Sequence, residues 1–550
     1  MPNFSEIRTF TSAKYTIQMN NNRRIQVWLP LLFALTMIVG MWIGFALSRD
    51  MGGSGGGLFS RTGASTSLQE ILDLVRNRYV DSVNVPAVTD SAIGTVLDQL
   101  DPHSAFIPAS ELAEVNEDLE GGFEGIGIEF NLLNDTLNVV SVVPGGPSEK
   151  AGLMVGDQIL KVNDSLLNGR KLTNDLVRKM LKGPEASQVK ISVLRQGQPK
   201  DFVITRSLVP LNSLDAAYML EPEVGYIKLN KFSATTYQEF MDAMDSLKKK
   251  GMQRLVLDLR DNGGGYMEQA VKIADEFLDD NKLIVYTQGV HSPKKEYKAD
   301  HPGIFEKGKL VVLVDEGTAS ASEILTGSLQ DWDRATIIGR RSFGKGLVQE
   351  QYSLTDGSAL RLTIARYYTP LGRCIQKSYA KGIKVYEDDL LNRIHNGELV
   401  NADSNKVAVG QVYTTPLGRK VYGGGGIMPD LFVPLDTTEY SPVITRLLRY
   451  NTLVDFAYKY YVGHRSAMDQ YGSPAAFARD FHTTEALWAD LARFAVRDSV
   501  QLQYLPARDK DMLLLRTKSL LAHQIWRMEG FYEVYNQDDT MIKKAEEVLK

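Results

Sequence analysis

Two serines and a lysine stand where they could do nucleophilic chemistry. Ser320 and Ser322 lie in a Thr-Ala-Ser-Ala-Ser-Glu-Ile run, and Lys345 follows Ser320 by 25 residues in a Phe-Gly-Lys-Gly-Leu-Val-Gln run ending at Gln349. A serine hydroxyl is a weak nucleophile and needs a base. A lysine becomes one near neutral pH only if burial lowers its pKa by several units from about 10.4. Gln349 is four residues beyond Lys345, so in an extended chain the two share a face. Its amide can orient the amine without adding charge.

The surrounding elements must bring these groups together. Leu-Val-Val-Leu-Val at 310–314 is a continuous apolar run, the pattern of a strand buried on both faces. A Gly-Thr turn follows, and residues 319–329 are predicted to be helical. The serines therefore fall at a strand-to-helix elbow, where the helix N-terminus offers free N–H groups to an oxyanion. The glycines flanking Lys345 allow close backbone approach, and a strand is predicted over 347–352. Other serine arrangements fit worse, because there is no Gly-x-Ser-x-Gly elbow and no lysine three residues after either serine. Residues 339–345 satisfy most of a phosphate-loop pattern. The next residue, Gly346, lacks the Mg²⁺-binding hydroxyl, and a strand rather than a helix follows.

These motifs, with Asp331 and Gly339 between them, resemble the carboxyl-terminal processing (tail-specific) serine peptidases. The resemblance implies a Ser/Lys dyad: Ser320 as nucleophile, Lys345 as general base and Gln349 as its orienting partner, with Ser322 a bystander. It implies a crotonase-like α/β core and an acyl-enzyme mechanism. It also implies an oxyanion hole from the N–H of Ala321 and that of Gly264 or Gly265, in the Asp-Leu-Arg-Asp-Asn-Gly-Gly-Gly segment at 258–265; the sequence does not choose between these glycines. The segment Arg-Leu-Thr-Ile-Ala-Arg-Tyr-Tyr-Thr-Pro at 361–370 resembles the family's cleft lining, and Gly-Gly-Gly-Gly-Ile-Met-Pro-Asp at 423–430 its closing motif. Asp331, near the end of the nucleophile helix, is expected to be structural.

At 550 residues the chain has room for three to four domains. A net charge of −5 argues against a nucleic-acid binder. Cys374 is the only cysteine, so no disulfide can form within the chain, and no base spacing supports a catalytic role for it. The seven histidines, at 103, 291, 301, 395, 464, 482 and 523, show no metal-ligand spacing. No metal, nucleotide or other cofactor is implied.

Residues 1–24 are polar and are expected to be cytoplasmic. Residues 25–47 carry no charge, with Trp28 and Trp42 near the ends, and are expected to form a membrane anchor. The basic residues Arg8, Lys14, Arg23 and Arg24 before it favour an inside N-terminus. With the family resemblance, this implies a single-pass protein of the cytoplasmic membrane whose catalytic part faces the periplasm. A glycine-rich linker fills 48–66, and a helical segment 67–119 ends in Leu-Asp-Pro-His-Ser, a stretch the tail-specific peptidases share. His103 within it is expected to be a turn or core residue, since the family's base is lysine.

Residues 120–207 resemble a PDZ domain. Gly125-Ile126-Gly127-Ile128 matches its carboxylate-binding loop, with Pro-Gly-Gly-Pro-Ser-Glu-Lys-Ala-Gly-Leu at 144–153 downstream. Such a loop holds a peptide's terminal carboxylate while the next strand accepts the peptide as an added strand, and residues 172–181 would be the facing helix. Alternating strands and helices over 208–436 indicate an α/β core. Residues 437–550 carry helical apolar stripes, among them Trp488, Leu491, Leu513, Leu514 and Leu521, which would form a small helical domain or a subunit interface. The expected protein is multidomain α/β and binds polypeptide substrates by their C-termini.

Overall fold

The computed structural model describes residue 34 and residues 36–42, 66–133, 136–167, 172–401, 410–436 and 441–550. The chain divides into two units, residues 1–89 and 90–550. The helix Thr66–Arg78 belongs to the first. The membrane anchor expected over 25–47 lies outside the described residues apart from 34 and 36–42. No helix among the described residues is long and apolar enough to cross a membrane.

The second unit is built on a six-stranded sheet in the order Leu214–Glu221, Val224–Leu229, Arg254–Asp258, Leu310–Val314, Thr336–Gly339, Leu431–Phe432. The first pair is antiparallel and the rest are parallel. Central strands such as Leu310–Val314 are buried along their whole length, as their unbroken apolar runs require. The helices Thr236–Lys249, Met267–Asp275 and Ala321–Asp331 contribute Phe240, Met244, Ile273, Ile324 and Leu325 to the core on one face. The closing motif delivers Leu431–Phe432 to the sheet edge, returning the chain to the core.

A second sheet supplies the other wall of the site. Its long strand Ala359–Tyr368 pairs with Leu347–Ser353, with Leu283–Gln288 and with the short strand Ala105–Ile107. The Asp-Pro-His-Ser turn is thereby fixed to the core: the Asp101 carboxylate accepts hydrogen bonds from the N–H groups of His103 and Ser104 and from the Thr363 hydroxyl.

Residues 122–210 include a small antiparallel sheet ordered Ile128–Leu133, Thr136–Val142, Gln158–Val162, Gln188–Arg195, Gln198–Thr205. Ile128–Leu133 is its edge strand, and the helix Asn174–Leu181, N-capped by Thr173, faces it across a groove.

The C-terminal stripes are consumed within the chain. Leu487, Leu491, Leu513, Leu514 and Leu521 bury into one cluster, with Trp488 packed on its margin. The last helix, Thr540–Leu549, lays Met541, Ile542, Ala545 and Leu549 on the second face of the six-stranded sheet, against Val256, Val311 and Ile338. Ion pairs tie this region to the core through Arg260–Asp539 (2.6 Å) and to the edge strand through Arg527–Glu129 (2.8 Å).

Candidate active site

Ser320 is the residue before the helix Ala321–Asp331 and has φ 55° and ψ −116°. That is a conformation an L-residue adopts only when its surroundings enforce it. The enforcement comes from both sides. Asn262, fully buried, donates its side-chain amide to the Leu229 carbonyl at 3.0 Å, and its own carbonyl accepts from Ala319 N–H (3.0 Å) and Ser322 Oγ (2.9 Å). Gly264 lies so close to the elbow that a Cβ there would stand 2.7 Å from Ser320 Cβ, and its φ of 95° is one glycine adopts freely. Ser322 is thus a structural hydroxyl, and Ser320 is the partly exposed one.

Glu323, three residues into the elbow, is fully buried. Its carboxylate accepts from Ser320 N–H at 2.9 Å, from Lys345 N–H at 2.8 Å, from Gly344 N–H at 2.7 Å and from Ser342 Oγ. Burial pushes this carboxyl up to about 7, against the opposing pull of the hydrogen bonds from Ser342 and the three N–H groups. The buried Tyr367 does the converse with its hydroxyl, which faces the Ser320 carbonyl at 3.1 Å and the Lys345 carbonyl at 2.5 Å. One acidic and one hydroxylic side chain therefore join the same two backbone positions.

Lys345 Nζ donates to Gln349 Oε1 at 3.0 Å, although Lys345 precedes the strand Leu347–Ser353 and a bulge between Val348 and Gln349 interrupts the simple alternation the spacing assumes. The Gln349 amide donates in turn to the His103 carbonyl. Burial, and secondarily Arg361, hold the Lys345 ammonium below the ordinary lysine range, while Asp101 and Glu323 oppose them. Among the described residues no hydrogen bond joins Lys345 Nζ to Ser320 Oγ. His103 has its ring turned to another partner. Its ring bonds Tyr386 OH at 2.7 Å, and burial with the neighbouring Lys345 charge depresses it to about 4.

Three backbone N–H groups are the expected candidates for an oxyanion hole. Ala321 N–H opens the helix, and among the described residues neither it nor Gly265 N–H has an acceptor, whereas Gly264 N–H donates to Asn262 Oδ1 at 2.9 Å. Gly265 is itself pressed on the Phe232 carbonyl, which a Cβ would meet at 2.1 Å. Asp331 lies away from this chemistry: it forms a fully buried ion pair with Arg373 at 2.5 Å. Cys374 accepts Gly424 N–H on its backbone carbonyl. The strand after Lys345 has no helix N-terminus to offer a phosphate, as a phosphate loop requires.

The groove beside the edge strand has a volume of about 360 Å³. Gly127 (φ 73°) turns the loop, and no acceptor among the described residues takes the N–H groups of Ile126 or Gly127. Ile128 and Phe130 reach the groove from the edge strand. The residues predicted for nucleophile, base and oxyanion thus converge at the elbow, and those of the Gly125–Ile128 loop at this second place. Glu323, Tyr367 and Asn262 were not singled out from the sequence. Only Glu323 left a signal, a Ser-x-x-Glu capping box starting at Ser320.

Comparison with known proteins decides the family. Residues 223–385 match the model of peptidase family S41 and residues 125–205 that of the PDZ domain. A carboxy-terminal-processing protease of Bartonella bacilliformis is 34% identical over 313 residues, which span 56% of this chain and 71% of that one.

The chain belongs to peptidase family S41.

A probable CtpA-like serine protease of Staphylococcus aureus is 35% identical over 319 residues, 58% of this chain and 63% of that one. The solved structure of a photosystem II D1 C-terminal processing protease is 33% identical, with 57% of this chain and 84% of that one covered and a TM-score of 0.33. Residues 443–527 match a family of unknown function (DUF8443).

Proposed function

We propose that this S41 chain is a serine endopeptidase that binds the C-terminal tails of proteins in its PDZ groove and cleaves the same chains by way of an acyl-enzyme. The observation that carries the reading is the joining of Ser320 and Lys345 by Glu323 and Tyr367, with burial holding the Lys345 ammonium below the ordinary lysine range. Neutral Lys345 removes the Ser320 Oγ proton as Oγ attacks the scissile carbonyl carbon. Its ammonium then returns that proton to the leaving amine as the C–N bond breaks. Water, deprotonated by the same amine, hydrolyses the ester and regenerates Ser320. Gln349 orients Nζ between these steps. Nζ must swing from Gln349 Oε1 towards Oγ during the cycle.

Ala321 N–H and Gly265 N–H form the oxyanion hole in this reading, because Gly264 N–H is already committed to Asn262. Each such donor is worth roughly 3 kcal/mol of barrier. The uncharged 25–47 segment supports membrane attachment with the catalytic part on the periplasmic side.

The test is cleavage of an unfolded protein with an apolar C-terminal tail by the full-length chain. Ser320→Ala and Lys345→Ala should both be inactive, and amidation of the tail should abolish cleavage by wild type. Cleavage by Ser320→Ala would overturn the assignment of the nucleophile.

A further inference from the structure

The helix Ala109–Glu120 runs between the PDZ groove and the peptidase core, and three of its acidic residues are each held by a basic one. Glu117 pairs with Lys182, Glu114 with Arg178 at 3.4 Å, and Asp118 with Lys231 at 2.6 Å. The first two bases belong to the PDZ module and the third to the core. Glu117 and Lys182 differ from the other pairs in their setting. Both side chains are about three-quarters buried (26% and 29% exposed), and both line the groove with the Ile126–Ile128 loop. The Lys182 ammonium also lies 5.0 Å from the centre of the Phe123 ring. Glu114, Asp118 and Arg178 also line the groove but are at least half exposed, and the rest of the lining is Gly127 with the apolar Phe123, Ile126, Ile128, Phe130, Leu181 and Leu211. A mostly buried carboxylate and ammonium lining one groove with uncommitted loop N–H groups and apolar side chains have the chemistry that takes a peptide's last residue.

We infer that Glu117 stands at Lys182 in the place that the terminal carboxylate of a bound polypeptide takes, and that exchanging one carboxylate for the other releases the helix Ala109–Glu120. The inference rests on the tail-binding reading above and adds to it a named competitor and a named cation. Release has a direct route to the catalytic amine. The helix continues from the strand Ala105–Ile107 and the turn that carries the His103 carbonyl, which holds Gln349 and through it Lys345. The helix also reaches the strand of Gln349, through a 3.2 Å hydrogen bond from Gln351 to Asn116. Lys182 and Glu117 are specificity and positioning residues, since neither touches the reacting atoms.

The test is binding of a fluorescent peptide with an apolar C-terminal residue, free or amidated, to the full-length chain in a Ser320→Ala background. Glu117→Gln removes the competing charge and keeps the side chain's shape, so the free-acid peptide should bind roughly three- to tenfold tighter. The amidated peptide should be unaffected. Lys182→Gln should weaken the free-acid peptide by a similar factor and make the effect of Glu117→Gln vanish in the double variant. Hydrogen exchange at 105–120 should rise on peptide binding, and Glu117→Gln should show that rise without peptide. Tight binding by the parent chain that Glu117→Gln does not change, or changes equally for the amide, overturns the inference alone. Failure of every chain, the parent included, to bind the free-acid peptide removes the tail-binding reading and this inference with it.

Discussion

Ser320 and Lys345 share two ligands: their N–H groups meet on the Glu323 carboxylate, and their carbonyls meet on the Tyr367 hydroxyl. The spacing of the Ser320 and Lys345 segments is thus set by two buried side chains acting on the backbone, while Lys345 Nζ is held separately by Gln349. Such an arrangement pre-orients the backbone while leaving Lys345 Nζ to exchange partners.

Glu323→Ala should therefore be more damaging than its distance from any reacting atom suggests. It leaves three N–H groups and the Ser342 hydroxyl without an acceptor in the core. A loss of about 3 kcal/mol of stability and of nearly all activity is expected. Tyr367→Phe removes one shared donor and keeps the packing. It should cost about 1 kcal/mol of stability and lower kcat by more than it raises KM. Unchanged kcat in Tyr367→Phe would show that the elbow holds its spacing without it.

Stability against pH separates Glu323 from His103. Glu323 is pushed up to about 7 from 4.5, so between these values the native state binds more protons than the unfolded chain. Its contribution falls as pH rises through that window. His103 is depressed to about 4 from 6.5, so there the unfolded chain binds more protons and stability rises with pH. The slopes oppose each other. Relative to wild type, Glu323→Gln should gain stability progressively from pH 4.5 to 7, by an increment of about 3 kcal/mol on top of its constant cost. His103→Asn should lose its relative disadvantage at the acid end. Urea unfolding at several pH values checks both signs.

His103→Asn also tests the choice of base. The residue serves Gln349 through its backbone carbonyl, which asparagine keeps, and its ring bonds only Tyr386 among the described residues. Activity should remain within about threefold of wild type, with the alkaline rise of kcat in place because neutral Lys345 is the base. A hundredfold loss together with a shifted pH profile would return the histidine to the chemistry.

The C-terminal helix Thr540–Leu549 covers a sheet face that would otherwise be exposed and apolar. Ile542→Asp buries an unpaired carboxylate there and should destabilise the chain by more than about 3 kcal/mol. A fall in the thermal midpoint of several degrees, with activity at low temperature retained, is the expected result. An unchanged midpoint would mean the helix is dispensable to the core.

Much of this protein was legible from local pattern. Leu310–Val314 announced a doubly buried strand because it has no polar alternation, and the Gly-Thr turn followed by helix-forming residues fixed Ser320 at the helix start. The pairing expected of Lys345 and Gln349 is present, although a bulge between Val348 and Gln349 replaces the regular strand the four-residue step assumes. These signals are carried by neighbours in the chain, where backbone geometry sets what adjacent residues can reach.

What the tertiary structure decided involves partners far apart in sequence. Tyr367 and Asn262 carry no spacing that marks them, since their roles arise only when strands from different parts of the chain are brought side by side. That Gly264 N–H is committed to Asn262 is likewise a matter of hydrogen-bond competition in three dimensions. The stripes of residues 441–550 read equally as a domain core or a subunit interface. Amphipathic spacing says that a face must be buried and not what buries it; in the folded chain, the helices' own cluster and the back of the six-stranded sheet do so.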